Sequence, residues 1–388
     1  MPNECARRRS SRDGAFHVVI GAALTVMVAC SDPAPSAVPD AGRPDAGADT
    51  DAGPGTLEQQ ALFEGGADGY RVYRIPALVT TNMGTLLAFA EGRQSLEDDG
   101  NIDLVLRRSE DSGATWSSLA VVVDVGADTA GNPTPVVGRT SGRVWLPYST
   151  NPGADALSRS VWLTYSDDEG QSWSAPQDLT PDVKPAGWTW YATGPGRGIE
   201  LSSGRLLVPC DHVDELGVRA SHVIYSDDQG DTWHLGGSAG ADTDEATVAE
   251  LSDGRVVLNM RYEGATRARA VATSDDGGLS WSATTLDESL PDPGCEGSLL
   301  AAPEGLLFAN PATTTRFPRD HVTVRLSTDD GASWPYARLL SEGPSAYTSL
   351  TRLPDGRFAI LWESGRTLPY DRIRFARFDL EWLGVSAP

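Results

Sequence analysis

Three arginines stand out in an acidic chain: Arg74 in VYRIPALV, Arg261 in VLNMRYEG and Arg319 in TRFPRDHVTVRLS. A guanidinium offers a planar fork of donors that matches a carboxylate bidentately, and it stays charged at any ordinary pH. Three gathered at one site repel one another, so the arrangement makes sense only where an anion binds. Taken singly, each is a surface or salt-bridge residue. Chemistry therefore requires a fold that brings distant segments together.

The elements able to do so are marked by five copies of S-x-D-x-G-x-x-W, at Ser109, Ser166, Ser226, Ser274 and Ser327. Ser and Asp side chains bond nearby backbone amides, Gly accepts positive φ, and Trp folds back as an apolar anchor, which together specify a hairpin turn. The copies start 57, 60, 48 and 53 residues apart, a spacing in the range of propeller blades. Residues 56–388 hold about six such units, five with a box and a sixth completed by the chain ends. Between boxes lie short apolar or alternating runs such as RVWLPYS, GRVVLNMRY and GRFAILWES, each behind a turn signal, and no sustained 3.6-residue period. The expectation is an all-β, six-bladed β-propeller over 56–388 with about four strands per blade. Its inner strands converge on one axis, and the box aspartates lie at outer turns in structural roles. Their spacing does not match an EF-hand calcium loop.

A formal net charge of -23 argues against nucleic acid as a partner, since phosphate binding needs clustered Lys and Arg. Four cysteines without a C-x-x-C pair do not make a disulfide framework, and Cys210 and Cys295 read as small buried residues. No metal motif involves the five histidines, so neither metal nor cofactor is expected. Residues 1–30 read as a signal peptide, with Arg7, Arg8, Arg9 and Arg12 ahead of an apolar run too short to span a bilayer. Met27-Val28-Ala29-Cys30 resembles a bacterial lipobox, which would lipidate Cys30; the alternative is a plain secretory signal, and either exports the protein. Residues 31–55, rich in Pro, Ala, Gly and Asp, form a spacer unable to bury a core. Membrane attachment is expected only through Cys30, and the chain is expected to act as a monomer.

From Gly65 to Leu380 the chain resembles the exo-sialidase (neuraminidase) superfamily, through the R-I-P stretch at Arg74 combined with the repeated boxes. The resemblance implies that Arg74, Arg261 and Arg319 form a carboxylate-binding triad, with Arg316 and Arg325 as competitors for the third place. Tyr347 in SAYTSL resembles the nucleophile and Glu245 in DEATVAEL the group that takes its proton, with Glu250 as the alternative. A neutral phenol avoids the repulsion that a carboxylate nucleophile would meet from the substrate's own carboxylate, and a phenol of pKa near 10 needs a base beside it. Asp98 resembles the general acid/base, in a register that could slip to Asp99. Glu97 and Asp99 would raise its pKa and the arginines would lower it. Glu363 in ILWESG resembles the carboxylate that holds the first arginine.

The implied activity is a retaining exo-α-sialidase acting on sialylated glycans. A non-catalytic sialoglycan-binding propeller, a trans-sialidase and a glycosidase for a related nonulosonic acid are the alternatives. Trp188, Trp190 and Tyr191 have a composition suited to stacking on a sugar or to packing. Asn132-Pro133 and Asp211-His212 resemble positions around the substrate pocket.

Overall fold

In the computed structural model the described residues are 55–386, apart from 154 and 156. The signal peptide, Cys30 and all of the spacer but Gly55 lie outside them. The described part is all-β apart from one short helix, Thr180–Val183. Its strands hydrogen-bond into four sheets of seven, nine, five and four strands, none of them closed on itself.

The simplest unit is Thr243–Glu250, Val256–Tyr262, Ala268–Ser274 and Thr285–Pro291, an antiparallel meander in chain order. Elsewhere such meanders are fused. Strand Tyr336–Arg352 is 17 residues long. Its first half pairs with Asp320–Ser327 and its second with Phe358–Ser364, so one strand belongs to two successive meanders. The first described strand, Leu57–Glu64, lies antiparallel to the last, Arg372–Phe378, from Leu57 opposite Phe378 to Glu64 opposite Arg372.

Apolar cores sit between successive meanders. Leu87, Leu104 and Leu146 share one cluster; Trp145, Leu206 and Trp233 another; Leu207, Val248 and Leu258 a third. Ala249 and Val257 pack with Leu299 and Phe308, Leu307 and Val324 with Leu350 and Phe358, and Leu361 and Phe375 with Leu78 and Ala88. Strands such as Leu86–Arg93, Val144–Asn151 and Phe358–Ser364 are buried on both faces, which explains why they read as apolar runs rather than clean alternations.

Each box closes the hairpin ahead of an outer strand. The serine hydroxyl accepts the glycine N–H at 2.8 Å in all five copies. The aspartate accepts the backbone N–H and hydroxyl of the residue four positions on, as Asp168 does from Ser172. The box glycines have φ of +74° to +92°, and they also seat the turn on the neighbouring meander. A Cβ on Gly113 would lie 2.3 Å from the Phe375 ring, and one on Gly230 would lie 2.2 Å from Trp145 Nε1. The boxes are thus wedges between units.

These bonds, led by the hydroxyls of Thr115, Ser172, Thr232 and Ser280, hold Asp111, Asp168, Asp228 and Asp276 down at about 2. Because folding depresses these pKa values, the associated stability is present above the ordinary carboxylate pKa and is lost as pH falls through about 2. The Asp168→Ala variant is expected to lose about 1–2 kcal/mol, as capping losses do, and to unfold at higher pH than the parent. Matched acid titrations followed by near-UV dichroism would refute this by coinciding.

Candidate active site

Three of the residues singled out above sit at irregularities in their strands. The register slips between Arg74 and Ala77, between Thr243 and Ala246 around Glu245, and between Ser345 and Thr348 around Tyr347. Such bulges re-aim side chains next to sites. The first has a local cause: Pro76 brings no N–H to the ladder, and Ile75 adopts φ +56°, a strained conformation for a β-branched residue. Ile75 N–H donates to Glu363 Oε1 at 2.9 Å, which holds the kink.

Glu363 is fully buried and also accepts from Arg74, Nε at 3.1 Å and Nη2 at 3.4 Å, and from Tyr347 N–H at 3.3 Å. It therefore ties the arginine to the strand that carries the tyrosine. The Tyr347 hydroxyl donates to Glu245 Oε1, and Arg261 Nη1 donates to Glu245 Oε2 at 2.9 Å. The Arg74 guanidinium lies 5.3 Å from the Tyr347 ring centre and 4.3 Å from that of Tyr370. Arg319 donates to Gly294 O at 2.7 Å, and its charge acts on Tyr347. The three arginines thus converge on one phenol.

Of the competing residues, Arg325 and Glu250 go elsewhere, and Arg316 shares the carboxylate of Glu263 with Arg261. Arg316 pairs with Glu263 at 3.3 Å, Arg325 donates to Asn310 Oδ1 at 3.1 Å, and Glu250 accepts Ser202 N–H at 2.8 Å in a different cavity.

Burial pushes the Tyr347 hydroxyl well above 10, Glu245 adds to that, and Arg261 and Arg319 oppose it. Burial also raises Glu245, against the pull of Arg261. Asp98 sits in a loop with its side chain 67% exposed, 2.7 Å from Arg93 Nη1 and 3.4 Å from Arg74 Nη1. Desolvation pushes its carboxyl up, but Arg93 and Arg74 together outweigh this and hold it below the usual range. Asp98, Glu245, Arg261 and Tyr347 share a cavity of about 190 Å³ with Asn132 and Trp190.

Residues 84–360, more than half of the chain, match the family described as a BNR repeat-like domain. The "Sialidase" of Micromonospora viridifaciens is 37% identical over 366 residues, covering 85% of this chain and 55% of that protein. The "Exo-alpha-sialidase" of Arthroderma benhamiae is 34% identical over 82% of this chain and 86% of that one. The chain belongs to the exo-sialidase superfamily. The solved "Hadza microbial sialidase Hz136" superposes on this superfamily member with a TM-score of 0.77 at 31% identity, over 84% of this chain and 69% of that one. The chain spans only about half the length of the Micromonospora relative, 55%.

This exo-sialidase superfamily member also places groups at the cavity that its sequence did not reveal. Arg93 bridges Asp98 and Glu91, with Nε to Glu91 Oε2 at 2.7 Å. Arg159 donates to Asn132 Oδ1 at 3.0 Å and lies 3.7 Å over the Trp190 ring. Asp244 accepts from Arg219 at 2.7 Å. The alternation of strand Leu86–Arg93 puts Glu91 and Arg93 on one face, the one signal that could have found them. Of the three aromatics considered above, Trp190 lines the cavity and donates to Asp211 Oδ2 at 2.8 Å. Trp188 stacks on His212 at 3.5 Å, and Tyr191 is a fully buried core residue. Asp211 lines the cavity, whereas His212 is bound up with His222 at 3.1 Å.

Proposed function

We propose that the protein is a retaining exo-α-sialidase that releases terminal sialic acids from glycans through a tyrosyl-sialosyl intermediate. The observation that carries this reading is the Tyr347 hydroxyl donating to Glu245 amid three arginines. Arg74, Arg261 and Arg319 would clamp the substrate carboxylate. Asp98 would protonate the departing oxygen while Tyr347 attacks the anomeric carbon and passes its proton to Glu245. Asp98 would then deprotonate the water that cleaves the intermediate, while Glu245 returns its proton to the departing Tyr347 oxygen. Burial keeps the phenol neutral on approach and makes Glu245 the stronger base. Incubation with a mixed sialoglycan panel tests the activity: free sialic acid supports it, and binding without release points to a lectin.

The six-bladed propeller belongs to the same reading. The cores pack each meander on the next and the last on the first, and the pairing of Leu57–Glu64 with Arg372–Phe378 joins the first and last described strands. Export, with lipidation at Cys30, remains part of the proposal; the mass of the mature N-terminus tests it.

The pKa directions give a pH test. The reacting form needs Asp98 protonated and Glu245 ionised, although Asp98 is the lowered group and Glu245 the raised one. For a sialoside with a poor leaving group, kcat/KM should form a bell in mild acid, rising through the Asp98 ionisation and falling through that of Glu245. An activated aryl sialoside needs no acid, so its kcat/KM should rise through the Glu245 ionisation to a plateau. In Asp98→Asn the first substrate should lose about 10²–10⁴-fold and the second little. Equal losses on both substrates would rule Asp98 out as the acid.

A further inference from the structure

The inner strands reach a second cavity. Glu245 and Glu250 occupy opposite ends of strand Thr243–Glu250, as Tyr347 and Thr351 occupy separate positions on Tyr336–Arg352; the first of each pair lines the catalytic cavity and the second a larger one, of about 580 Å³. Five residues of extended chain separate the two along one strand, about 17 Å.

Arg197 lines this larger cavity, and among the described residues none of its side-chain nitrogens has a hydrogen-bond or ion-pair partner; Nε is fully enclosed. The other deep arginines are provided for: Arg74 by Glu363, and Arg269 by Asp292 at 3.1 Å. The position is also rigid. Gly196 N–H donates to Pro133 O at 3.2 Å and Gly198 N–H to Pro135 O at 3.1 Å. A Cβ on Gly198 would lie 2.6 Å from Val136 Cγ2 and 2.7 Å from Leu207 O. Burial lowers the Arg197 pKa to about 10, so it is charged at neutral pH.

The cavity's four carboxylates are already engaged, Glu200 by the Arg139 N–H and by Gln229 at 3.4 Å, Glu250 by Ser202, Glu304 by Arg352 at 2.6 Å, and Asp330 by Ser252 Oγ at 2.5 Å. They do not neutralise Arg197, but they make the surroundings unfavourable for a dianion. Val79, Val248 and Leu299 supply an apolar wall. A half-buried guanidinium whose Nε is enclosed and unpartnered, on a backbone held at both neighbours, offers donors to a planar carboxylate without first breaking a bond within the protein.

We propose that this cavity is a second binding site, for a small monocarboxylate whose charged end meets Arg197 and whose body lies against Val79, Val248 and Leu299. The proposal is independent of the catalytic reading. The test is a titration of the full chain with 4-bromobenzoate, read by calorimetry in solution and by anomalous bromine density in crystals. A bromine peak beside Arg197 is expected, together with at least a tenfold weakening of that binding event in Arg197→Met and in Ala302→Phe, which keeps the arginine and fills the cavity. Sialoside turnover should stay at the parent level in both variants. Absence of the peak, an isotherm unchanged in either variant, or inorganic phosphate binding there as tightly as the benzoate would overturn the proposal.

Discussion

Tyr347→Phe is expected to fold normally and to lose sialoside hydrolysis by about a thousandfold or more, equivalent to about 4 kcal/mol in the barrier. The substitution removes one oxygen from a ring that is otherwise packed with Ile75, Cys295 and Ala346, so the scaffold keeps its shape. Glu245 keeps Arg261 as a partner at 2.9 Å and is not left alone in the interior. Substrate binding should survive, because the three arginines are untouched, and the defect should therefore appear in kcat rather than KM. Rapid-quench mass spectrometry of the parent should find a sialosyl adduct on the peptide containing Tyr347. Turnover within tenfold of the parent would eliminate the tyrosine as nucleophile.

Arg74→Ala should damage both folding and function, and Arg319→Ala mainly function. Removing Arg74 strands Glu363, which is completely enclosed, with only the N–H groups of Ile75 and Tyr347 as donors. Breaking a buried pair in this way costs about 3–5 kcal/mol. Among the described residues the Arg319 side chain makes a single hydrogen bond, to the Gly294 carbonyl, so its loss leaves no buried charge behind. Both variants should lose roughly a hundredfold in kcat/KM, the scale of a lost charge-assisted contact of about 2–3 kcal/mol. Urea unfolding separates them: a midpoint for Arg74→Ala equal to that of Arg319→Ala would contradict the role given to Glu363.

Arg74, Glu245 and Tyr347 were legible because each lies in a short segment whose residue types make sense only together: R-I-P, where proline breaks the ladder, and a tyrosine and a glutamate that need each other. Asp98 accepts from Arg93 and Arg74, partners outside its own loop that its neighbours in sequence did not indicate. Arg93, sequence-distant from nothing yet hidden in an ordinary strand, decides the direction of the Asp98 pKa, a balance that counting nearby charges left open. Trp188, Trp190 and Tyr191 looked alike in sequence and separate only because alternation sends one to the cavity and another to the core. For the fold, the boxes gave the spacing of the hairpins but not the fusion of sheets. Nothing in SEGPSAYTSL announces that one strand crosses between two meanders. Arg197 was invisible for a simpler reason: having no partner is a property of the folded surroundings.

The pairing of Leu57–Glu64 with Arg372–Phe378 also sets an order in time. On a ribosome the first of these strands emerges more than 300 residues before its partner and stays an open edge throughout synthesis. The contact with the largest sequence separation comes last, when loop-closure entropy is greatest. Until residues 372–378 have been made, the strand Leu57–Glu64 therefore lacks the partner that completes it.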